Sequence, residues 1–146
     1  VQLAARSGER LGLLYIDLDR FKPVNDRLGH EAGDTVLRVV AQRLKTAVRK
    51  TDIVARLGGD EFAIALLQVT EFDHADRVAA KLIEALGQPI DADGEEVTIG
   101  ASIGIACYPA DGTTIDALVQ AGDTAMYAAK AAGRNCARRS RPEKSA

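Results

Sequence analysis

A glycine pair followed directly by two carboxylates, Gly58-Gly59-Asp60-Glu61, separates two apolar runs near the middle of the chain. The first run covers residues 53–57 and the second covers residues 62–67. Two strand-like segments joined by Gly-Gly are typical of a β-hairpin, because glycine supplies the positive φ angles of a tight turn. The carboxylates at the tip indicate a metal and polyphosphate site, with an acidic solvated turn as the alternative.

Apolar periodicity predicts strands and helices on both sides of this hairpin. The expected elements are a buried strand over residues 11–18, a helix from about Gly33 to Val48, a second helix over residues 75–86, a turn at residues 91–94, a long half-buried strand over residues 97–107, and a last helix from about Thr114 to Ala132. Strands that share one sheet and are separated by helices give a two-layer α/β sandwich.

Length and charge narrow the class of protein. The 146 residues suffice for one domain with its own core. A net charge of −2 predicts no nucleic-acid partner and no membrane contact, and no apolar run is long enough to span a bilayer. The two cysteines favour a reducing cytosol, although a disulfide between them stays open. Without an initiator Met or a signal peptide, the chain is expected to be a piece of a longer protein.

Acidic residues that end the first strand are expected to meet those of the hairpin. Asp17 and Asp19 are two positions apart on a strand, so their side chains share one face. If this strand neighbours the hairpin, Asp17 approaches Asp60 and Glu61, and clustered carboxylates raise one another's pKa unless a cation intervenes. Mg²⁺ prefers such hard oxygen ligands. For Asp19, a helix N-cap is an equally good interpretation.

Three polar residues follow the first strand at short spacing. Lys22 could meet a phosphate as a point charge. Asn25 and Asp34 together offer the donor and acceptors that match the edge of a guanine. Taken singly, a solvated lysine, a turn-forming asparagine and a helix-starting aspartate are the simpler interpretations.

The order and spacing of these motifs closely resemble the GGDEF family of bacterial diguanylate cyclases. The matching segments are Ile16-Asp17-Leu18-Asp19-Arg20-Phe21-Lys22, Asn25-Asp26, Gly29-His30, Gly33-Asp34, Arg56-Leu57-Gly58-Gly59-Asp60-Glu61-Phe62, residues 101–106 and residues 121–135. The resemblance implies an α/β (α+β) two-layer sandwich of the nucleotidyl cyclase or polymerase-palm type, with a mostly antiparallel sheet flanked by helices. The domain is expected to cover residues 1–137, with residues 138–146 as a basic tail or disordered linker.

The resemblance also implies an activity, the condensation of two GTP molecules into cyclic di-GMP and two pyrophosphates. Two Mg²⁺ ions per active site, or Mn²⁺ in their place, would assist the attack of a 3′-hydroxyl on an α-phosphate. The implied catalytic residues are Asp60, Glu61 and Lys22. The implied metal ligands are Asp17, the Leu18 carbonyl, Asp60 and Glu61. The implied substrate-binding residues are Phe21, Lys22, Asn25, His30, Asp34, Gly58, Gly59, Lys130 and Arg134.

The roles that the resemblance implies for His30, Asp19 and Glu61 need a closer statement. His30 is expected either to support the site or to be a satisfied core histidine, and the supporting role is preferred. Asp19 is expected to be a structural partner instead of a ligand. Glu61 is expected to be either a ligand of the second metal or a group near the attacking hydroxyl.

The segment Arg49-Lys50-Thr51-Asp52 stands five residues before Gly58 and matches the RxxD inhibitory motif of the family. By this resemblance Arg49 and Asp52 would bind cyclic di-GMP as an inhibiting product. Arg77 and Lys81 are one turn apart on the following helix and would complete the pocket.

A cyclic dinucleotide built from one GTP per site implies a catalytic homodimer. The full-length protein is expected to carry flanking sensory or phosphodiesterase domains and to be cytoplasmic, or to place this domain in the cytosol beside a membrane-attached part. The D-x-L-T-G-L-x-N-R segment that usually precedes the first strand of the family is absent from the sequence. Two other functions stay open: a silent module that binds GTP or cyclic di-GMP, and another metal-dependent nucleotidyl cyclase or polymerase-palm relative.

Overall fold

The computed structural model describes residues 10–71 and 73–140. Over these residues the elements are β1 (Leu11–Asp19), α1 (Phe21–Leu28), α2 (His30–Ala47), β2 (Ile53–Gly58), β3 (Glu61–Leu66), α3 (His74–Leu86), β4 (Ile90–Ala92), β5 (Glu95–Val97), β6 (Gly100–Tyr108), α4 (Ile115–Ala131) and β7 (Cys136–Arg139). None of the described helices has the length and apolarity that a membrane crossing requires.

The central sheet has five strands in the order β2-β3-β1-β6-β7. Strand β1 lies in the middle and pairs antiparallel with both β3 and β6. Strand β2 pairs antiparallel with β3, and β7 runs parallel to β6. The predicted sandwich with a mostly antiparallel sheet flanked by helices is therefore confirmed, and the hairpin of β2 and β3 lies beside the first strand as expected.

The two faces of β1 are covered by different helices. Its even-numbered residues Leu14, Ile16 and Leu18 are buried in the main core, and a Cβ on Gly12 would contact Ala75 of α3 at 3.5 Å. Its odd-numbered residues lie under α4, since a Cβ on Gly122 would come within 3.3 Å of Tyr15. The strand therefore separates the main core from a second face, covered by α4, that carries Asp17.

Two expectations about element boundaries are corrected. Helix α2 begins at His30 and not at Gly33, so Asp34 lies inside the helix. The expected strand over residues 97–107 is divided, because Val97 ends a small hairpin of β4 and β5 whereas β6 begins at Gly100. Both Val97 and Ile99 are buried, so the apolar alternation continues across the break.

The chain's basic end also differs from the expectation. Arg138 and Arg139 belong to β7 and extend the sheet, whereas the sequence predicts that they lie in the tail. An edge strand tolerates these charges because Arg139 forms an ion pair with Asp76 of α3 at 2.9 Å. Residues 141–146 of the predicted tail lie outside the described residues. Cys107 and Cys136 are free, so no disulfide joins them.

Candidate active site

The turn between β2 and β3 is fixed against the end of β1. Gly58 and Gly59 adopt positive φ angles of 146° and 50°, as a tight turn requires. The guanidinium of Arg56 donates to the Gly59 carbonyl from Nη2 at 2.8 Å and from Nε at 3.1 Å. The backbone N–H of Leu18 donates to the Asp60 carbonyl at 3.1 Å. The hairpin tip is thereby held beside the last residues of β1.

This arrangement brings the acidic residues together. Asp17 and Glu61 lie directly opposite each other in the antiparallel register of β1 and β3, which confirms that the acid near the end of the first strand meets those of the hairpin. Burial raises the pKa of Asp17 above its ordinary value, and the negative charges of Asp60 and Glu61 raise it further, whereas Lys130 lowers it. The ammonium of Lys130 lies 3.0 Å from Asp17 Oδ2.

The carboxylates suit a hard divalent cation by their chemistry. Asp17 and Glu61 supply anionic oxygens from adjacent strands, and Asp60 supplies them from the turn between β2 and β3. Burial and then the charges of Asp60 and Glu61 raise the pKa of Asp17, so a bound cation would stabilise its charged form. Over residues 10–71 and 73–140, no three His, Cys, Asp or Glu side chains converge closely enough to form a ready-made metal centre. The ligand types fit Mg²⁺, while Lys130 is the cation that contacts Asp17.

A cavity of about 280 Å³ opens between the sheet and α4 at this place. It is lined by Tyr15, Asp17, Glu61, Asp123, Met126, Tyr127 and Lys130. The hydroxyl of Tyr15 donates to Glu61 Oε1 at 3.2 Å. Burial raises the pKa of Tyr15, and the nearby Glu61 carboxylate raises it further, so the phenol stays protonated and acts as a donor.

Sequence reasoning named neither Tyr15 nor Asp123 nor Tyr127 as a site residue. A signal for each was present in the spacing. Tyr15 precedes Asp17 by two positions and therefore shares its face of the strand. Asp123 and Tyr127 precede Lys130 by seven and three positions, which places all three on one side of α4.

The residues expected to bind the nucleotide surround the junction of α1 and α2. Asn25 packs against Gly33, where a Cβ would lie only 2.0 Å from Asn25 Oδ1. Asp34 and His30 are exposed on α2, and the exposure of His30 excludes a core histidine. Phe21 is buried at the start of α1. These positions leave the guanine-binding role of Asn25 and Asp34 as a prediction.

The residues expected to hold phosphates lie at separate places. Lys22 is exposed and lies 3.8 Å from Asp26, one turn further along α1. Lys130 lines the cavity, and Arg134 is exposed just after α4 with a left-handed φ of 67°. Of the three, Lys130 alone lines that cavity in the described part of the chain.

Asp19 is a structural residue, as expected. Its buried carboxylate accepts hydrogen bonds from Ser102 Oγ and from the backbone N–H of Asn135, both at 2.8 Å. It thereby ties β1 to β6 and to the loop after α4. The alternative of a helix N-cap is wrong, because Arg20 occupies that position and makes no side-chain capping bond.

The RxxD segment forms a closed loop in this structure. The buried Asp52 carboxylate accepts from the backbone N–H groups of Arg49 and Leu67, each at 3.0 Å. Burial alone raises the pKa of Asp52, but these two hydrogen bonds and the Arg49 guanidinium outweigh it and lower the pKa. Arg49 also donates to the Leu67 carbonyl at 2.6 Å. Asp52 therefore joins the loop to the end of β3.

The other two residues of the expected product site also have protein partners. Arg77 forms ion pairs with Glu71 and Asp73. Lys81 Nζ donates to the Ala47 carbonyl at 3.2 Å. Product binding at these four positions remains a prediction.

Comparison with known proteins places these features in a family. The family model described as "Diguanylate cyclase, GGDEF domain" matches residues 1–136. The crystal structure of the GGDEF domain of TpbB (YfiN) from Pseudomonas aeruginosa superposes with a TM-score of 0.89 at 45% identity, covering 94% of this chain and 86% of that chain. The GGDEF domain of DgcB from Caulobacter crescentus, solved in complex with c-di-GMP, gives a TM-score of 0.76 at 30% identity, covering 91% and 79%.

A curated relative is much longer than this chain. The bifunctional diguanylate cyclase/cyclic di-GMP phosphodiesterase MucR of Pseudomonas aeruginosa is 47% identical over 135 residues. The match covers 92% of this chain but only 20% of MucR. Relatives of this kind are therefore multidomain signalling proteins in which the matched segment is one part.

Proposed function

This chain belongs to the GGDEF domain family of diguanylate cyclases, and from that membership we propose that it condenses two GTP molecules into cyclic di-GMP and two pyrophosphates. The observation that carries the proposal is the pairing of Asp17 with Glu61 across β1 and β3, beside Asp60 at the hairpin tip and Lys130 in the cavity. Positioning and charge neutralisation account for most of what such a phosphoryl transfer asks of a protein.

The acidic residues are the proposed metal site. Asp17, Asp60 and Glu61 with the Leu18 carbonyl would hold two Mg²⁺ ions, or Mn²⁺ in their place. When bound, the ions would stabilise the attacking and the leaving oxygens of the in-line displacement. The contact between Leu18 and Asp60 supports this grouping because it holds the strand end against the hairpin tip.

The remaining proposed contacts are with GTP itself. Asn25 and Asp34 would recognise guanine, while Lys22, Lys130 and Arg134 would bind phosphates. Phe21 and the turn glycines Gly58 and Gly59 would pack against the nucleotide, and His30 would support it. The close approach of Asn25 to Gly33 supports the guanine site, since it sets the amide at the beginning of α2.

The proposal extends to the assembly and to regulation. Because each site holds one GTP, catalysis requires two chains that face each other. The full-length protein would carry flanking sensory or phosphodiesterase domains and would be cytoplasmic or attached to a membrane; the name of MucR, a bifunctional diguanylate cyclase and phosphodiesterase, supports the phosphodiesterase part of this proposal. Binding of cyclic di-GMP by Arg49 and Asp52 would require Arg49 to exchange its bonds to Asp52 and Leu67 for the ligand.

A catalytically silent module that binds GTP or cyclic di-GMP is the second candidate function. The specific observation in its favour is that Lys130 already neutralises Asp17. Such a module would regulate an attached phosphodiesterase domain without turning over GTP itself.

One experiment distinguishes the cyclase from the silent module. The chain is incubated with GTP and Mg²⁺ while a fused coiled coil enforces dimerisation. The cyclase should release cyclic di-GMP and pyrophosphate, and Asp60→Ala should lower the rate by at least about a hundredfold, in the range of losing a metal-centred stabilisation. Glu84→Ala, an exposed carboxylate on α3, is the matched control and should keep the rate. Tight GTP binding without either product would instead support the silent module.

A further inference from the structure

The Tyr15 hydroxyl is a polar group of the cavity that the proposed chemistry does not use. It donates to Glu61 Oε1 at 3.2 Å, and no other hydrogen bond or ion pair in the described part of the chain involves the Glu61 carboxylate. The ring lies on the same face of β1 as Asp17, two residues earlier. The restraint on Glu61 therefore comes from the strand that also carries Asp17.

The packing around Tyr15 accommodates its aromatic ring. In the sheet Tyr15 lies between Ala63 of β3 and Gly104 of β6, so it has one small neighbour on each side. Helix α4 packs on this face of the sheet through Gly122, where a Cβ would lie 3.3 Å from Tyr15 Cβ and 3.9 Å from Tyr15 Cδ2. Small residues on three sides leave room for the aromatic ring, and its hydroxyl lies within hydrogen-bonding distance of Glu61 Oε1.

We propose that Tyr15 is a positioning residue that orients Glu61 for a divalent cation. The inference rests on the proposed function, in which Glu61 is a metal ligand. Hydrogen bonds to a ligating carboxylate set its orientation, and their loss commonly weakens metal affinity by roughly 10- to 100-fold. The distance of 3.2 Å is longer than a usual O–H···O bond, so we expect an effect at the lower end of that range.

Tyr15→Phe removes the hydroxyl and keeps the ring. Affinity for Mn²⁺ is measured by electron paramagnetic resonance with saturating 3′-deoxy-GTP, which lacks the attacking hydroxyl and cannot be condensed. We expect Tyr15→Phe to bind Mn²⁺ about tenfold more weakly than the wild type, with an unchanged melting temperature. Tyr15→Leu removes the ring as well. If Tyr15→Phe binds Mn²⁺ like the wild type and only Tyr15→Leu is weakened, Tyr15 acts by packing alone and the proposal is overturned.

A double-mutant cycle tests whether Tyr15 acts through Glu61. In a Glu61→Ala background, which has no side-chain acceptor for the Tyr15 hydroxyl, Tyr15→Phe should cause no further loss of Mn²⁺ affinity. The same tenfold loss in both backgrounds would show that the hydroxyl acts elsewhere, and it would overturn the proposal.

Turnover of GTP by the wild type separates this inference from the proposed function. If the wild type makes cyclic di-GMP and Tyr15→Phe binds Mn²⁺ normally, the positioning role fails and the function stands. If the wild type makes no product while the Mn²⁺ cycle shows coupling, the function fails and the positioning role stands. Absence of Mn²⁺ binding by the wild type would overturn both.

Discussion

Gly33 is the residue on which the proposed guanine site depends most directly. A Cβ at this position would lie 2.0 Å from Asn25 Oδ1 and 3.0 Å from its Cγ. Gly33 lies within α2 and has no left-handed φ, so alanine suits its backbone and favours the helix by about 1 kcal/mol. We therefore expect Gly33→Ala to keep or raise the melting temperature while raising KM for GTP about tenfold or more, the equivalent of one lost hydrogen bond to the base.

The control for this prediction is Asn25→Ala, alone and combined with Gly33→Ala. Since the added methyl group acts by displacing Asn25, the double variant should be no worse than Asn25→Ala. A KM for Gly33→Ala within twofold of the wild type would show that Asn25 does not need its observed position.

Individual residues of the site were predictable where a short-range sequence pattern determines the face of the strand or helix on which a side chain lies. The two-residue period of a strand was enough to place Asp17 on the face where it meets Glu61. The same period also places Tyr15 on this face, but the residue type alone does not separate a tyrosine of the site from an aromatic residue of the core. The burial of Asp52 was not predictable either, because its partner Leu67 is fifteen residues away and the bond depends on how the loop closes.

At the scale of elements, helix α4 packs closely on strand β6. A Cβ on Gly104 would lie 2.0 Å from the Gly122 carbonyl oxygen and 2.4 Å from the Met126 backbone nitrogen. Backbone atoms cannot rotate away, so Gly104→Ala must push α4 off the sheet. We expect a loss of about 2–3 kcal/mol in the free energy of unfolding, measured by urea denaturation.

Gly12 provides the matched control, since it is a glycine of the neighbouring strand. A Cβ there would make ordinary contacts at 3.5 Å with Ala75 and Leu66. Gly12→Ala should therefore change the free energy of unfolding by less than about 1 kcal/mol. Equal losses in the two variants would mean that the closeness of α4 to β6 is not what limits position 104.

The loop between α2 and β2 gives a pH-dependent prediction. The pKa of Asp52 lies below its ordinary 3.8 in the folded protein, so the charged form stabilises the fold above that pH and the contribution is lost as pH falls through the lowered pKa. Asp52→Ala leaves the Leu67 N–H without its acceptor, and we expect a loss of about 2 kcal/mol at neutral pH. In urea unfolding the difference from the wild type should be smaller at a pH below 3.8 than at neutral pH.

Asp26 is the control carboxylate for this experiment. It is exposed and lies 3.8 Å from Lys22, one turn away on the same helix. Ion pairs on the surface contribute little to the free energy of unfolding. Asp26→Ala should therefore change it by at most about 0.5 kcal/mol at both neutral and acidic pH. A loss for Asp52→Ala that is equally small would show that the loop does not depend on the buried carboxylate.

Elements with a strong apolar period were predictable, and short charged ones were not. Strand β1, the hairpin and helices α3 and α4 follow from their own residues. Strand β7 has only four residues, two of them arginines, and it pairs because β6 offers an open edge. The break before β6 was not predictable either. Strand β6 is buried almost throughout, so its apolar residues lie on both faces and their spacing does not mark where the strand begins.

At the scale of the whole molecule, the proposed active site binds one GTP, whereas the proposed product contains two nucleotides. The charge is nearly balanced at −2, so electrostatic repulsion between two copies is modest. Two chains related by a two-fold axis would each present Asp60 and its neighbours to the other's GTP. The proposed enzyme is therefore complete only as a pair.

Mixing wild type with Asp60→Ala tests this requirement at constant total protein. If both sites of a pair must act, a mixed pair is inactive, and an equal mixture retains roughly a quarter of the wild-type rate of cyclic di-GMP formation, because about one pair in four is fully wild type. If each chain worked alone, the mixture would retain about half of the wild-type rate. Glu84→Ala in place of Asp60→Ala should leave the full rate. A linear dependence on the wild-type fraction, measured at protein concentrations where pairs exchange freely, would contradict the paired enzyme.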